Sequence, residues 1–239
     1  VVAINYNLFD ISDDQAERNT HNYGSIFLIA AGLSFLLAAT TAVVLYFLVF
    51  RASHNIHFYS PGLKQQWYYR RADWGALPEV GSELLDLPLP HVLIGHSALD
   101  YCMENCVTTV QEIQIVHMDR YWHDIGPNFL VGPNGKVFEG RGANFVGAMV
   151  SAWNRIAISV MFLGNYIEDE PTDEQFENVN TLLEELVRMN VLRADYTVLG
   201  HCQLTGGTFS PGQNVMDNMN KFEHWDATNR TSCLRLNLQ

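Results

Sequence analysis

The chain has 239 residues, with 14 Lys and Arg against 26 Asp and Glu, a formal net charge of −12. That length accommodates one ordinary domain with additional elements. The acidity argues against nucleic acid or an anionic membrane surface as the principal partner.

Residues 1–25 are polar after a β-prone start, Val1-Val2-Ala3-Ile4-Asn5-Tyr6-Asn7-Leu8-Phe9. They read either as a disordered cytosolic tail or as a short segment that stacks with copies of itself, and further sequence is expected before Val1. Residues 26–50 then run for 25 positions without a charge. About 20 apolar residues cross a bilayer core as a helix. A buried core helix would carry polar positions, and the apolar region of a signal peptide is only about 7–15 residues long. The stretch is therefore expected to be a single transmembrane helix. Residues 51–66, punctuated by Ser60-Pro61-Gly62, read as a juxtamembrane linker.

Orientation is set by opposing signals. Arg51, Lys64, Arg70 and Arg71 follow the span while Arg18 precedes it, which by the positive-inside rule would place the C-terminal part in the cytosol. Against this, Asn229-Arg230-Thr231 is a glycosylation sequon, used on the lumenal side. The four cysteines, Cys102, Cys106, Cys202 and Cys233, all follow the span and suit an oxidising compartment. The expectation is a plasma-membrane protein with an extracellular C-terminal domain.

From Trp67 onward the pattern is that of an α/β domain. Val92-Leu93-Ile94 reads as a buried strand, and Val107, Val110, Ile113 and His117 recur at helical spacing over about 104–121. Residues 128–131 and 136–138 flank the turn Gly132-Pro133-Asn134-Gly135, the signature of a hairpin. Residues 156–162 form another apolar strand. Thr172 with Gln175 three positions on makes a capping box for a helix whose stripe is Phe176, Val179, Leu182, Leu183, Leu186 and Val187. Residues 196–199 read as a last strand, and 213–222 as a third helix. Alternating strands and helices predict an α/β fold: a mixed central β-sheet flanked by about three helices, preceded by the transmembrane helix. The domain is placed at 67–226, with 227–239 as a C-terminal tail.

Several motifs fall in one order: Arg71-Ala72-Asp73-Trp74-Gly75, Asp124-Ile125-Gly126-Pro127-Asn128-Phe129-Leu130, Phe138-Glu139-Gly140-Arg141-Gly142, Val146-Gly147-Ala148, and Gly200-His201 with Ser210-Pro211-Gly212. Together they resemble the peptidoglycan recognition protein domain, related to the zinc-dependent N-acetylmuramoyl-L-alanine amidases. With the N-terminal span, the chain resembles the membrane-anchored insect receptors of the LC type.

In catalytic members zinc is held by two His and one Cys, and a Tyr assists. The resemblance puts Gly95 at the first ligand position, His201 at the second, Ser210 at the third and Pro127 at the Tyr. Catalytic zinc requires three protein ligands and an open position, so the resemblance implies no metal, no cofactor and no amidase activity. Installing Gly95→His, Pro127→Tyr and Ser210→Cys is expected to move the domain towards zinc binding. His96 is not expected to replace the first ligand, because adjacent strand residues face opposite sides.

The resemblance also places a muropeptide groove along Arg141, Gly142, Ala143, Asn144, Phe145, Met149, Trp153 and Asn154, with His96, His117 and His201 near it. Arg141 is then available for a ligand carboxylate. His201 reads as a satisfied structural histidine in preference to a ligand, and His117 equally as a groove contact or as a helix residue meeting the core. Ala143 and Met149 stand where many diaminopimelate-binding members have Trp and His, which implies weakened direct binding. Cys102 and Cys106 are implied to form a disulfide, although the family spacing is longer. Cys202 is either a buried thiol or half of a bridge to Cys233.

The implied partners are muropeptides of diaminopimelate type, a homo- or heterodimer with related receptor domains, and a cytosolic signalling adaptor. The leading expectation is a non-catalytic membrane-tethered receptor that signals by clustering. The alternatives are a co-receptor or decoy with a degraded groove and, least favoured, an active amidase.

Overall fold

The computed structural model describes residues 28–46, 60–228 and 233. The predicted cytosolic tail, most of the linker and the Asn229 sequon lie outside the described residues. The chain divides into two units, Val1–His57 and Phe58–Gln239.

In the first unit, α1 (Leu28–Tyr46) is a 19-residue helix of mean hydropathy 2.3. Its few hydroxyls turn back onto the helix: Ser34 Oγ donates to the Ala30 carbonyl at 2.9 Å and Thr41 Oγ1 to the Leu37 carbonyl at 2.7 Å. Such back-bonding removes the polar groups from an apolar surround. Among the described residues it is the one helix long and apolar enough to cross a membrane. It falls inside the predicted span of 26–50.

The second unit is built on a six-stranded sheet. Its strands are β1 (Tyr68–Tyr69), β2 (Leu89–His96), β3 (Phe129–Val131), β4 (Val137–Glu139), β5 (Ala157–Phe162) and β6 (Leu192–Gly200). The spatial order is β1-β4-β3-β5-β2-β6. Only the β3–β4 hairpin is antiparallel, and the remaining pairs are parallel. The helices are α2 (Cys106–Asp119), α3 (Asp173–Arg188), α4 (His201–Leu204) and α5 (Gln213–Asp217). The predicted mixed sheet is present.

The period-2 alternation of a strand sorts side chains onto two faces. Val92 and Ile94 of β2, Phe129 and Val131 of β3, Ile158, Val160 and Phe162 of β5 and Val198 of β6 share one cluster with the α3 stripe, Phe176, Val179, Leu182, Leu183 and Leu186. The alternate residues serve the other face. Leu130 and Phe138 pack with Val110 and Ile113 of α2, while Leu93 and Leu199 pack with Val150 and Ala157. That second face therefore carries two separate apolar clusters, and Gly95, in phase with Leu93, belongs to it.

Thr172 Oγ1 accepts from the Gln175 backbone N–H, and Gln175 Oε1 from the Thr172 N–H, completing the predicted capping box. Several elements differ from expectation: β2 spans Leu89–His96 where 92–94 was expected, and β1 and α4 were not expected. β6 begins at Leu192, four residues early, because Leu192 pairs with Leu89 across a register shift. Pro90 sits in that shift and has no N–H for the ladder. The third helix stops at Asp217 and continues as a 3-10 turn over Met219–Lys221.

Candidate functional site

The C-terminal end of β2 and the exposed side of α2 enclose a cleft of about 350 Å³. Its wall on α2 is Glu112, Ile113, Val116, His117 and Arg120, and its floor includes Ser97 and Met161. Glu112, Val116 and Arg120 are spaced i, i+4, i+8, one stripe beside the buried Val110–Ile113 face, so they project together from the helix.

His117 is fixed at the cleft edge. Its Nδ1 accepts the Gly126 N–H at 2.9 Å, and its ring stacks on Trp122 with centroids 4.5 Å apart. Burial, and secondarily the nearby Arg120 and Arg141 charges, push its pKa down to about 4. The ring is therefore neutral at physiological pH and its Nδ1 carries a lone pair, as that hydrogen bond requires.

The resemblance assigns the three ligand positions to Gly95, His201 and Ser210. Gly95 provides no donor atom. Ser210 Oγ accepts the His96 backbone N–H at 3.1 Å, and the Ser210 carbonyl accepts the Cys202 N–H at 2.7 Å. His201 is half-buried at the start of α4, and burial lowers its pKa. Pro127 is buried and has no hydroxyl. Among the described residues no group of three His, Cys, Asp or Glu side chains is placed to hold a metal. One imidazole, one engaged neutral hydroxyl and a glycine do not fit the three-ligand zinc site of a hydrolase.

His96 lies on the opposite side of β2 from Gly95. Its Nδ1 accepts the Tyr166 N–H at 3.2 Å, and Tyr166 belongs to the α3-side cluster. Burial, with the His201 charge second, holds its pKa down at about 4. The strand alternation thus keeps it out of the first ligand position.

The residues expected to line the groove wall are dispersed. Arg141, expected to be available for a ligand carboxylate, is instead enclosed by main chain. Its Nε donates to the Ile125 carbonyl at 2.7 Å, one terminal nitrogen to the Val146 carbonyl at 2.9 Å, and the other lies 3.5 Å from the Asp124 carbonyl. With Arg71, which bridges Asp124 at 2.8 Å, it lines a separate small cavity that includes Phe145, Glu79 and Gly81. Gly142 adopts φ +71°, and a Cβ there would lie 2.9 Å from Glu139 Oε1, so the turn needs glycine. Ala143 is fully buried in the core beside Leu85. The Asn144 carbonyl accepts the Leu85 N–H at 2.9 Å.

Asn154 acts on the backbone: its Oδ1 accepts the N–H of Met149 at 3.0 Å and of Val150 at 2.9 Å. Trp153 is half-buried and meets His91 edge-on with centroids 5.0 Å apart. Of the eleven residues expected at the groove, His117 lines the cleft, and Met149 lies against Gly95, the register partner of the cleft residue Met161. Glu112, Val116 and Arg120 line the cleft as well and were not among the expected residues, although their helical spacing is readable beside the Val107–His117 stripe.

Both cysteine pairs are joined. Cys102–Cys106 closes the loop before α2, and Cys202–Cys233 ties α4 to the C-terminal segment. The open alternative for Cys202 is thereby resolved as a bridge.

Comparison with known proteins places this geometry among relatives. Residues 87–213 match the N-acetylmuramoyl-L-alanine amidase family. The chain is 36% identical over 160 residues to peptidoglycan-recognition protein SC2 of Drosophila melanogaster, covering 66% of this chain and 86% of that protein. Among solved structures, it is similar to the ectodomain complex of peptidoglycan recognition proteins LCa and LCx bound to tracheal cytotoxin. That match has TM-score 0.63 and 37% identity, covering 66% of this chain and 98% of the other. It is also similar to peptidoglycan recognition protein LE in complex with tracheal cytotoxin, a monomeric diaminopimelic acid-type peptidoglycan, with TM-score 0.64, 30% identity and coverage of 67% and 98%.

Proposed function

This chain belongs to the peptidoglycan recognition protein family, and we propose that within it the protein is a non-catalytic, membrane-tethered receptor for muropeptides. The observation that carries the reading is a cleft that keeps a binding wall and has lost its hydrolytic floor. The wall offers a carboxylate at Glu112, a guanidinium at Arg120, a neutral imidazole at His117 and an apolar surface at Ile113 and Val116, with Met161 on the floor. A few placed polar groups on an apolar lining suit a small ligand bearing amide and carboxylate groups. Relatives of the same fold have been solved with tracheal cytotoxin. At the ligand positions that the resemblance implies, Ser210 is hydrogen-bonded and Gly95 has no donor, so the ligand is bound and released intact.

The tether is α1, whose 19 residues have a mean hydropathy of 2.3 and match a bilayer core. Two disulfides in the second unit suit an oxidising compartment and support an extracellular position for it. On this reading the cytosolic tail recruits an adaptor when receptors cluster, alone or with a related receptor domain.

A second reading is favoured by the enclosed Arg141 and the buried Ala143. With those groups withdrawn from the groove, the domain acts as a co-receptor that pairs with a ligand-loaded relative. Calorimetric titration of the full chain in detergent with a monomeric diaminopimelate muropeptide separates the two. Direct heat of binding supports the receptor. No heat alone, followed by complex formation once a ligand-loaded relative is added, supports the co-receptor. Absence of both refutes muropeptide recognition.

A further inference from the structure

The space beside Gly95 is filled by a side chain. A Cβ built on Gly95 would lie 2.8 Å from Met149 Sδ, 3.3 Å from Met149 Cε and 3.2 Å from Ser210 Oγ. The first distance is well inside van der Waals contact, so the thioether occupies the volume that any side chain at position 95 would enter. Gly95 pairs in register with Met161, a floor residue of the cleft, which puts this contact at the inner edge of the binding wall.

Two features hold the methionine there. Its backbone N–H and that of Val150 both donate to Asn154 Oδ1, so the loop carrying it is pinned. Its side chain packs against the cluster of Leu93, Val150, Ala157 and Leu199, joined by Trp153 and Leu204. Met adapts readily to an irregular gap, and a small group at position 95 would be met by rotation of its end. An imidazole with a metal beyond it needs the whole space.

We propose that Met149 is a plug that closes the inner cleft by occupancy, so that metal is excluded by packing as well as by missing donors. Resting on the receptor reading, the plug also sets specificity: the muropeptide is held by the α2-lined outer cleft and does not reach the Gly95 floor. The triple substitution expected from sequence to restore zinc binding is then insufficient while Met149 remains.

The test uses the full chain with Gly95→His and Ser210→Cys, which with His201 supplies three ligand types. Three versions are compared, carrying Met149, Met149→Leu or Met149→Ala, with zinc affinity and stoichiometry read by competition against a chromophoric chelator. Leu preserves volume while Ala opens the space, and the sharpness of the urea transition confirms folding of each. The expected result is zinc affinity at least about tenfold higher with Ala than with Met or Leu. Equal affinity in all three, gain with Leu equal to that with Ala, or no zinc bound by any folded version would each overturn the proposal. In a second arm, Met149→Ala alone is titrated with the monomeric muropeptide and is expected to shift its affinity several-fold. If neither wild type nor variant binds, the receptor reading fails while the zinc result still decides the plug. If wild type binds and the variant is identical, the specificity role is refuted.

Discussion

Opening the Cys202–Cys233 bridge by Cys202→Ala with Cys233→Ala is expected to cost more than opening the other disulfide. The bridge closes a loop with a sequence separation of 31, against 4 for Cys102–Cys106. Chain-entropy arithmetic for those loop sizes gives a loss of about 3–4 kcal/mol for the long loop and about 2 kcal/mol for the short one. In the native state the C-terminal segment stays docked by other means. Gln203 Nε2 donates to the Asp226 and Thr228 carbonyls at 2.8 and 2.6 Å, and the Asp226 N–H to the Val198 carbonyl at 3.0 Å. Opening the bridge therefore acts mainly on the unfolded chain. For a unit of this size the loss corresponds to a fall in Tm of roughly 7–15 °C. Thermal unfolding is followed by tryptophan fluorescence under non-reducing conditions. Trp67, Trp74, Trp122, Trp153 and Trp225 are the only tryptophans and all lie in the second unit, so α1 does not contribute. A fall no larger than that of Cys102→Ala with Cys106→Ala would refute the reasoning, because the ordering depends only on loop length.

Two other outcomes follow from the site. Arg141→Ala strands the Ile125 and Val146 carbonyls and is expected to lower unfolding stability by about 3 kcal/mol; lost muropeptide affinity with unchanged urea stability would instead place Arg141 on the ligand. His117, with a folded pKa near 4, takes up a proton in the unfolded chain near pH 6.5 but not in the native state. Its stabilising preference for the neutral ring is complete above pH 6.5 and is lost as pH falls towards 4. Allowing for water at the half-buried ring, the loss is about 1–2 kcal/mol. His117→Asn should flatten the stability profile across that window in pH-resolved urea titrations, and an unchanged profile would contradict the assignment.

The fold was legible where one face of an element carries the core. The α3 stripe and its capping box, and the hairpin around Gly132–Gly135, are local patterns with a single burial solution. The early start of β6 was not legible, because Arg193 and Asp195 pair with each other at the surface, at 2.7 Å, and make the first half of the strand look like a loop. The site was legible only in part. Missing donors at Gly95, Pro127 and Ser210 are a property of residue type and show in the sequence. Arg141 reads as a surface charge, because nothing local reveals that three carbonyls converge on it. The filling of the Gly95 space by Met149 joins residues 54 positions apart and depends on the packed sheet face.

The most direct measurement is mass spectrometry of a muropeptide after prolonged incubation with the full chain, with added zinc and, in parallel, with a chelator. The ligand is predicted to be recovered intact in both, with no zinc retained by the protein after dialysis. Release of the stem peptide from its sugar, abolished by the chelator, would contradict the account.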